Sequence, residues 1–302
     1  MSAVPLQGVA PGPEGALVVV VSIDLLARKR AKHAITAITA YDYPSARLAD
    51  EAGIDVILVG DSLGMVVLGL PDTLRVTMED MLHHARAVRR GVQRSMLVVD
   101  MPYGSYHVST DQTVTNGLQL VKEAGAQALK IEGGAEIAPR VRGLVRAEIP
   151  VFGHIGLRPQ AVNRMGGYRV QGRTQAAATK LLDDAHELES AGITALVLEG
   201  IPREVAAEIT AHVNVPTIGI GAGPDCDGQV LVWHDLFGLF SSAPAKFVRQ
   251  FADVRSVMQR GLEEFREAVE ARTFPSDAES YHLPAGTDFH QHPSPAVSSC
   301  EK

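Results

Sequence analysis

Cysteine and basic charge are both scarce in this 302-residue chain, and each shortage argues against a class of function. The two cysteines, Cys226 and Cys300, have no paired spacing, which excludes a disulfide framework and a cysteine zinc site and favours a reduced, cytoplasmic setting. Lysine and arginine number 28 against 35 acidic residues, a formal charge of -7, so no clustered basic surface for nucleic acid is expected. Long apolar runs are missing too. Ala16 to Val21 falls far short of the roughly 20 residues that span a bilayer, and Glu14 precedes it where a signal peptide would carry positive charge, so neither membrane insertion nor export is expected.

What is present is a recurring string: an apolar run that ends on a carboxylate. It occurs in "IDVILVGDS" (54–62), "SMLVVDMP" (95–102), "AQALKIEGG" (126–134) and "ITALVLEG" (193–200). Three of the four follow a helix-like segment that stops at Ala-Gly: Ala52-Gly53, Ala124-Gly125 and Ala191-Gly192. Glycine just past a helix is a usual C-cap, and a Val/Ile/Leu run reads as a strand buried on both faces, as in a parallel sheet. A carboxylate is costly inside such a sheet, so Asp61, Asp100, Glu132 and Glu199 belong at the strands' C-terminal ends, where α/β barrels place their chemistry.

The rest of the chain alternates in the same way. "AITAITAYD" predicts a first strand, with a helix near 44–52 after it; strands are further expected to end at Asp61, Asp100, Glu132, near His154 and at Glu199, with "VPTIGIGAG" the seventh and "GQVLVWHD" the eighth. Helices are predicted over 77–93, 111–124, 136–147, 174–191 and 203–212. Eight strands alternating with helices predict a (β/α)8 TIM barrel, with too little chain for a helix between the seventh and eighth strands. Residues 1–21 read as a flexible extension, 22–274 as one barrel domain with a C-terminal helix, and 275–302 as a largely disordered tail carrying His282, His290 and His292. That last helix is expected from Ala245 to about Arg272, on the spacing of Phe247, Phe251, Val254, Met258, Leu262, Phe265 and Val269. The basic cluster Arg28, Lys29, Arg30 and Lys32 reads as a solvated helix face.

If the acids share one rim, each pair about 5 Å apart repels by roughly 3 kcal/mol at an effective dielectric near 20. A cation relieves that repulsion, and an all-oxygen donor set without cysteine selects Mg²⁺ over Zn²⁺. Lys130 and Glu132 are two apart and leave one face of a strand, so the lysine offers its charge to an anionic substrate. Ser62 follows Asp61 and can hold a substrate carboxylate. Glu199, further round and spared from metal ligation, is the candidate general base. His154 reads either as a core histidine or as a site residue. "GIGAG" (219–223) lacks the third glycine of a dinucleotide loop and reads as a turn, and His83-His84 as packing within a helix.

The strings "TAYDYPSARLADEAGIDVILVGDSLGMVVLG", "VVDMPYGSY", "ALKIEGG", "GHIGLRPQ", "GGYRVQGR", "LVLEGIP" and "IGIGAGPDCDGQVLVWHD" together resemble the ketopantoate hydroxymethyltransferase family, in order, over about residues 22–272. The resemblance implies a (β/α)8 barrel of the phosphoenolpyruvate/pyruvate type, a bound Mg²⁺ and a homodecamer. It implies transfer of a hydroxymethyl group from 5,10-methylenetetrahydrofolate to 3-methyl-2-oxobutanoate, giving 2-dehydropantoate on the way to pantothenate. By motif, Asp61 and Asp100 match metal ligands with Glu132 beside them in the metal's shell, Ser62 and Lys130 match holders of the oxo acid, and Glu199 matches the proton acceptor. Two rival readings are an Mg²⁺-dependent lyase of the same superfamily that uses no folate, and a non-catalytic barrel, which would have no need of all five of Asp61, Asp100, Lys130, Glu132 and Glu199.

Overall fold

The computed structural model describes residues 20–240 and 244–287. Residues 1–19 of the expected extension, and His290 and His292 of the tail, lie outside the described residues. The chain divides into two compact units, Met1–Asp253 and Val254–Lys302.

In the first unit eight parallel strands close into a barrel in chain order: β1 (Ile35–Thr39), β2 (Val56–Val59), β3 (Met96–Asp100), β4 (Ala128–Glu132), β5 (Val151–Gly156), β6 (Ala195–Glu199), β7 (Thr217–Ile220) and β8 (Gly228–Leu231). The helices are α1 (Ser22–Ala31), α2 (Tyr43–Glu51), α3 (Leu63–Val66), α4 (Met78–Gly91), α5 (Thr110–Ala124), α6 (Ala138–Arg146), α7 (Val162–Met165), α8 (Gln175–Ala191), α9 (Arg203–His212) and α10 (Trp233–Leu236). Their ends follow local chemistry. The Thr77 hydroxyl accepts from the Asp80 amide at 3.1 Å while the Asp80 carboxylate accepts from the Thr77 amide at 2.9 Å, a reciprocal cap that starts α4. Gly125 closes α5 at φ 69°, a left-handed conformation in which a side chain would be strained.

Alternation along each strand builds two aliphatic layers. Met96 and Val98, Ala128, Phe152, Ala195 and Val197 face the barrel interior in one cluster, while Leu97, Val99, Leu129, Ile155, Leu196 and Leu198 pack outward against the helices in another. Leu25 of α1, fully buried, joins the interior cluster with Ile35, Val56 and Met96. The same two-residue step carries the inward face on from Val98 to Asp100, from Ala128 to Lys130 and Glu132, from Phe152 to His154, and from Val197 to Glu199. Each interior stripe thus starts apolar and ends polar, which puts the charge at one mouth.

Three differences from the sequence reading have clear causes. Lys29 is not on a solvated face: its ammonium donates to the Thr210 and Val215 carbonyls and to the Asp227 carboxylate, all at 2.9–3.0 Å, and Arg28 pairs with Asp55 at 2.6 Å. With no helix between β7 and β8, this tie pins the short connection from α1. The long C-terminal helix begins at Val254 and not at Ala245. Upstream, Phe247 lies directly against Gly221 and the Phe251 amide donates to the Leu236 carbonyl at 2.9 Å, contacts that a continuous helix would break. His154 lies inside β5 and not at its end, because the strand runs on to Gly156.

The second unit holds α11 (Val254–Glu270), with Val257, Met258, Leu262, Phe265 and Val269 exposed along one stripe and Phe265 edge-on to Phe274 at 5.5 Å. It also holds His282, whose ring lies 3.2 Å from Asp277.

Candidate active site

Strand register assembles the mouth. Asp100 is paired in register with Lys130, Glu132 with His154, and Gly156 with Glu199, so neighbouring strands deliver their polar ends side by side. Asp61 comes from the turn two residues past β2, where its amide donates to Asp100 Oδ2 at 3.0 Å. Asp61, Asp100, Lys130, Glu132 and His154 are each 5% exposed or less, so their charges are not screened by bulk water. Lys130 Nζ lies 3.2 Å from Asp100 Oδ1, 3.6 Å from Glu132 Oε1 and 3.2 Å from His154 Nδ1. The imidazole then reaches Glu132 Oε1 on one side at 3.4 Å and Glu199 Oε2 on the other at 3.3 Å. Ser62 Oγ meets the Tyr41 hydroxyl at 2.9 Å, at the end of β1. The structure therefore brings together all seven residues singled out from the sequence, with His154 separating Glu199 from the carboxylate cluster.

Sequence reasoning missed the side chain that joins the cluster. Gln160, from the loop after β5, donates from Nε2 to Asp61 Oδ2 at 2.8 Å and to the Met101 carbonyl at 3.0 Å, and its amide donates to Glu132 Oε2 at 3.1 Å. Tyr106 completes the brace: its hydroxyl donates to Gln160 Oε1 at 2.6 Å and accepts from the Glu132 amide at 3.2 Å. Both residues stand inside strings already noted, "GHIGLRPQ" and "VVDMPYGSY". A neutral glutamine and a tyrosine in loops carry no periodicity or charge to mark them.

The electrostatics leave positive charge in deficit. Burial, then the charges of Asp100 and Glu132, push the Asp61 carboxyl well above the usual carboxylate range. Burial likewise raises Asp100, against the pull of Lys130. Burial disfavours the charge on Lys130, but Asp100, Glu132 and Asp61 outweigh it and hold the ammonium charged. His154 is raised to about 9: burial and Lys130 oppose protonation, and Glu132 and Glu199 overcome them. Buried Asp100 Oδ1 and Glu132 Oε1 accept no hydrogen bond. Among the described residues no three His, Cys, Asp or Glu side chains enclose a metal unaided, and Glu132 shows why, one oxygen being held by Gln160 and the other lying beside Lys130 and His154. A hard divalent ion on Asp61 and Asp100, with water and ligand oxygens in its other positions, fits this donor set.

A closed eight-stranded barrel with its polar groups gathered at the strands' C-terminal mouth defines a (β/α)8-barrel enzyme. The fold is similar to phosphonopyruvate hydrolase in a crystal structure with oxalate and Mg²⁺, at a TM-score of 0.58 and 15% identity over 88% of this chain and 93% of that one. It is similar also to 2,3-dimethylmalate lyase, a member of the phosphoenolpyruvate mutase/isocitrate lyase superfamily, at 0.56 and 16% over 87% and 89%. At such identity the likeness is one of fold alone, the closed (β/α)8 barrel. The family model of ketopantoate hydroxymethyltransferase matches residues 20–277. The 3-methyl-2-oxobutanoate hydroxymethyltransferase of Koribacter versatilis (strain Ellin345) is 57% identical over 265 residues, 88% of this chain and 90% of that protein. This chain belongs to the ketopantoate hydroxymethyltransferase family.

Proposed function

We propose that the chain transfers a hydroxymethyl group from 5,10-methylenetetrahydrofolate to 3-methyl-2-oxobutanoate, giving 2-dehydropantoate and tetrahydrofolate, with Glu199 as base and Asp61 and Asp100 as holders of Mg²⁺. The observation that carries this reading is the division of the mouth by His154: three carboxylates and Lys130 on one side, a fourth carboxylate, Glu199, on the other. Family membership supports the reaction itself.

When bound, Mg²⁺ supplies positive charge that stabilises the negative charge developing on the keto acid's oxygen. Asp61 and Asp100 would hold it with Glu132 beside them, and Gln160 keeps Asp61 and Glu132 at a fixed separation. Lys130, charged despite burial, meets the substrate's anionic end, and Ser62, braced by Tyr41, donates a hydrogen bond to its carboxylate. Glu199 removes the proton from C3. The electron pair released at C3 forms the new C–C bond to the folate's methylene carbon, and a water oxygen forms its C–O bond. Both C–N bonds of that carbon break, each electron pair returns to its folate nitrogen, and the two nitrogens take up the C3 proton and one proton from the water. His154, its Nε2 lying 3.3 Å from Glu199 Oε2, orients that carboxylate by charge and has its unpartnered Nε2 free to donate to substrate or product.

The reading places the enzyme in the cytoplasm as a homodecamer. In its support, no helix among the described residues is long and apolar enough to cross a membrane, and the apolar stripe of α11 is surface that self-association would cover. Glu199→Gln tests the chemistry. The variant is expected to bind 3-methyl-2-oxobutanoate but to lose exchange of the C3 proton in D₂O by about 10²-fold or more, followed by NMR. Exchange persisting at the parent rate would remove Glu199 from the role of base.

A further inference from the structure

Beside the mouth, the loops that follow β3, β4 and β5 enclose a cleft of about 280 Å³. Its floor includes Glu132 and Gln160, so a molecule seated there abuts the oxo-acid site. One wall is aromatic and continuous: the His107 ring lies 4.8 Å from Tyr103 and 4.3 Å from Tyr106, centre to centre, and Tyr103 is 48% exposed with its ring available to a ligand. Burial holds His107 below its ordinary range, so this wall is uncharged. Across the cleft, Arg158 pairs with Glu136 at 2.6 Å, and Arg164 stands exposed at the outer edge beside Asn163.

We propose that this cleft binds the reduced folate, its bicyclic ring against Tyr103 and His107 and its glutamate carboxylates toward Arg164. The assignment rests on the folate-dependent reading above. A pteridine is flat and aromatic with a rim of donors and acceptors, which suits a ring wall faced by Glu136 and Asn163. Its tail is anionic, which suits arginine at the cleft's exit. Aromatic faces hold flat heterocycles by stacking whatever their substituents. The position also meets the reaction's geometric demand, since the one-carbon unit must arrive next to the oxo acid and not merely on the same rim.

No other described cavity meets these conditions. A neighbouring cleft of about 180 Å³, reaching Gly156, Gln171 and Lys180, shares Glu136, Arg158 and Arg164 with the first but contains no aromatic ring, so Tyr103 distinguishes the two, and its lysine is already paired with Asp184 at 2.7 Å. The void inside the barrel measures about 20 Å³, too small for a ring system. Two further clefts among the described residues open between α8 and α9, and beside Phe247 and Phe251 at β7, β8 and β1, away from the site carboxylates.

The test is calorimetric binding of tetrahydrofolate to the full chain, with folate-free C3–H exchange of 3-methyl-2-oxobutanoate measured on the same samples. Tyr103→Ala and Arg164→Ala are each expected to weaken tetrahydrofolate binding about tenfold and to raise the KM for methylenetetrahydrofolate in step, with no matching fall in exchange. Lys180→Ala, in the neighbouring cleft, should bind like the parent. Unaltered affinity in both cleft variants, or weakening by Lys180→Ala alone, overturns the assignment, and so does exchange that falls in proportion to affinity, since the residues would then support the oxo-acid site. If Tyr103→Ala fails to fold, Tyr103→Leu supplies the same reading, because the ring is half exposed and leucine fills its buried part. A parent that binds tetrahydrofolate through Tyr103 and Arg164 yet transfers no hydroxymethyl group would keep the cleft and sink the proposed reaction. A parent that transfers while both variants bind normally would do the reverse.

Discussion

The residue that most changes the picture of the site is Gln160. A carboxylate cluster needs spacing as well as charge, and Gln160 sets it by donating to Asp61 and Glu132 from one side chain and its own amide. Replacing it with leucine keeps the volume but leaves Asp61 Oδ2 and the Met101 carbonyl without their Gln160 donor in a dry setting, and the Tyr106 hydroxyl with Glu132 as its remaining partner. Gln160→Leu should cost about 1–3 kcal/mol in urea denaturation. It should also weaken Mg²⁺ binding about 10–100-fold in a calorimetric titration, as loss of an outer-shell partner does. Parent-like Mg²⁺ affinity would show that the carboxylates are spaced by their strands alone. Asp61, Asp100, Glu132 and Glu199 were legible in the sequence because an acid ending an apolar run has only one low-cost place in a parallel sheet. Gln160 and Tyr106 were not, because neutral loop residues acquire their meaning only from the partners that folding gives them. Lys29 was misread for the same reason: its half-buried acceptors lie 181 to 198 residues away in sequence.

At the scale of elements, the end of β5 and the end of β6 depend on each other. Gly156 sits at φ 95°, and a Cβ there would lie 2.2 Å from the Glu199 carbonyl oxygen. Gly156→Ala therefore adds backbone strain of about 1–3 kcal/mol and must push apart the two strand ends that hold His154 and Glu199. A lower melting temperature and a loss of C3 exchange larger than the loss of oxo-acid binding are the expected results. An unchanged melting curve would mean that the strand ends yield freely. Strand and helix types were read from period and composition because each is fixed by its own residues: the continuous apolar run Met96–Val99 for β3, the Thr77–Asp80 start for α4. The start of α11 was not, since the apolar spacing of Phe247 and Phe251 fits a helix equally well. Contacts with Gly221 and Leu236, far upstream, decide against one.

For the molecule as a whole, the barrel concentrates buried negative charge at one mouth and balances it incompletely with Lys130 and His154. A divalent ion should then stabilise the fold as well as enable the reaction. Mg²⁺ at about 100 times its dissociation constant is expected to add roughly 2.7 kcal/mol, seen as a rise in melting temperature that EDTA reverses. Asp61→Asn combined with Asp100→Asn should abolish the rise. A rise that survives in that double variant would place the ion elsewhere.

The amino-acid sequence by itself determined the order of strands and helices, the barrel they close, and which end of each strand carries charge. Those features follow from local period, capping and the cost of burying an acid, all of which act over neighbouring residues. Only the tertiary structure decided which charges touch: register sets Asp100 against Lys130 and Glu132 against His154, and loops from separate strands bring in Gln160, Tyr106 and the aromatic wall of the cleft. Contacts of 2.6 Å between Tyr106 and Gln160 and 2.8 Å between Gln160 and Asp61, 54 and 99 residues apart in sequence, are a property of the closed barrel, whose curvature brings the loops after β2, β3 and β5 together over one mouth.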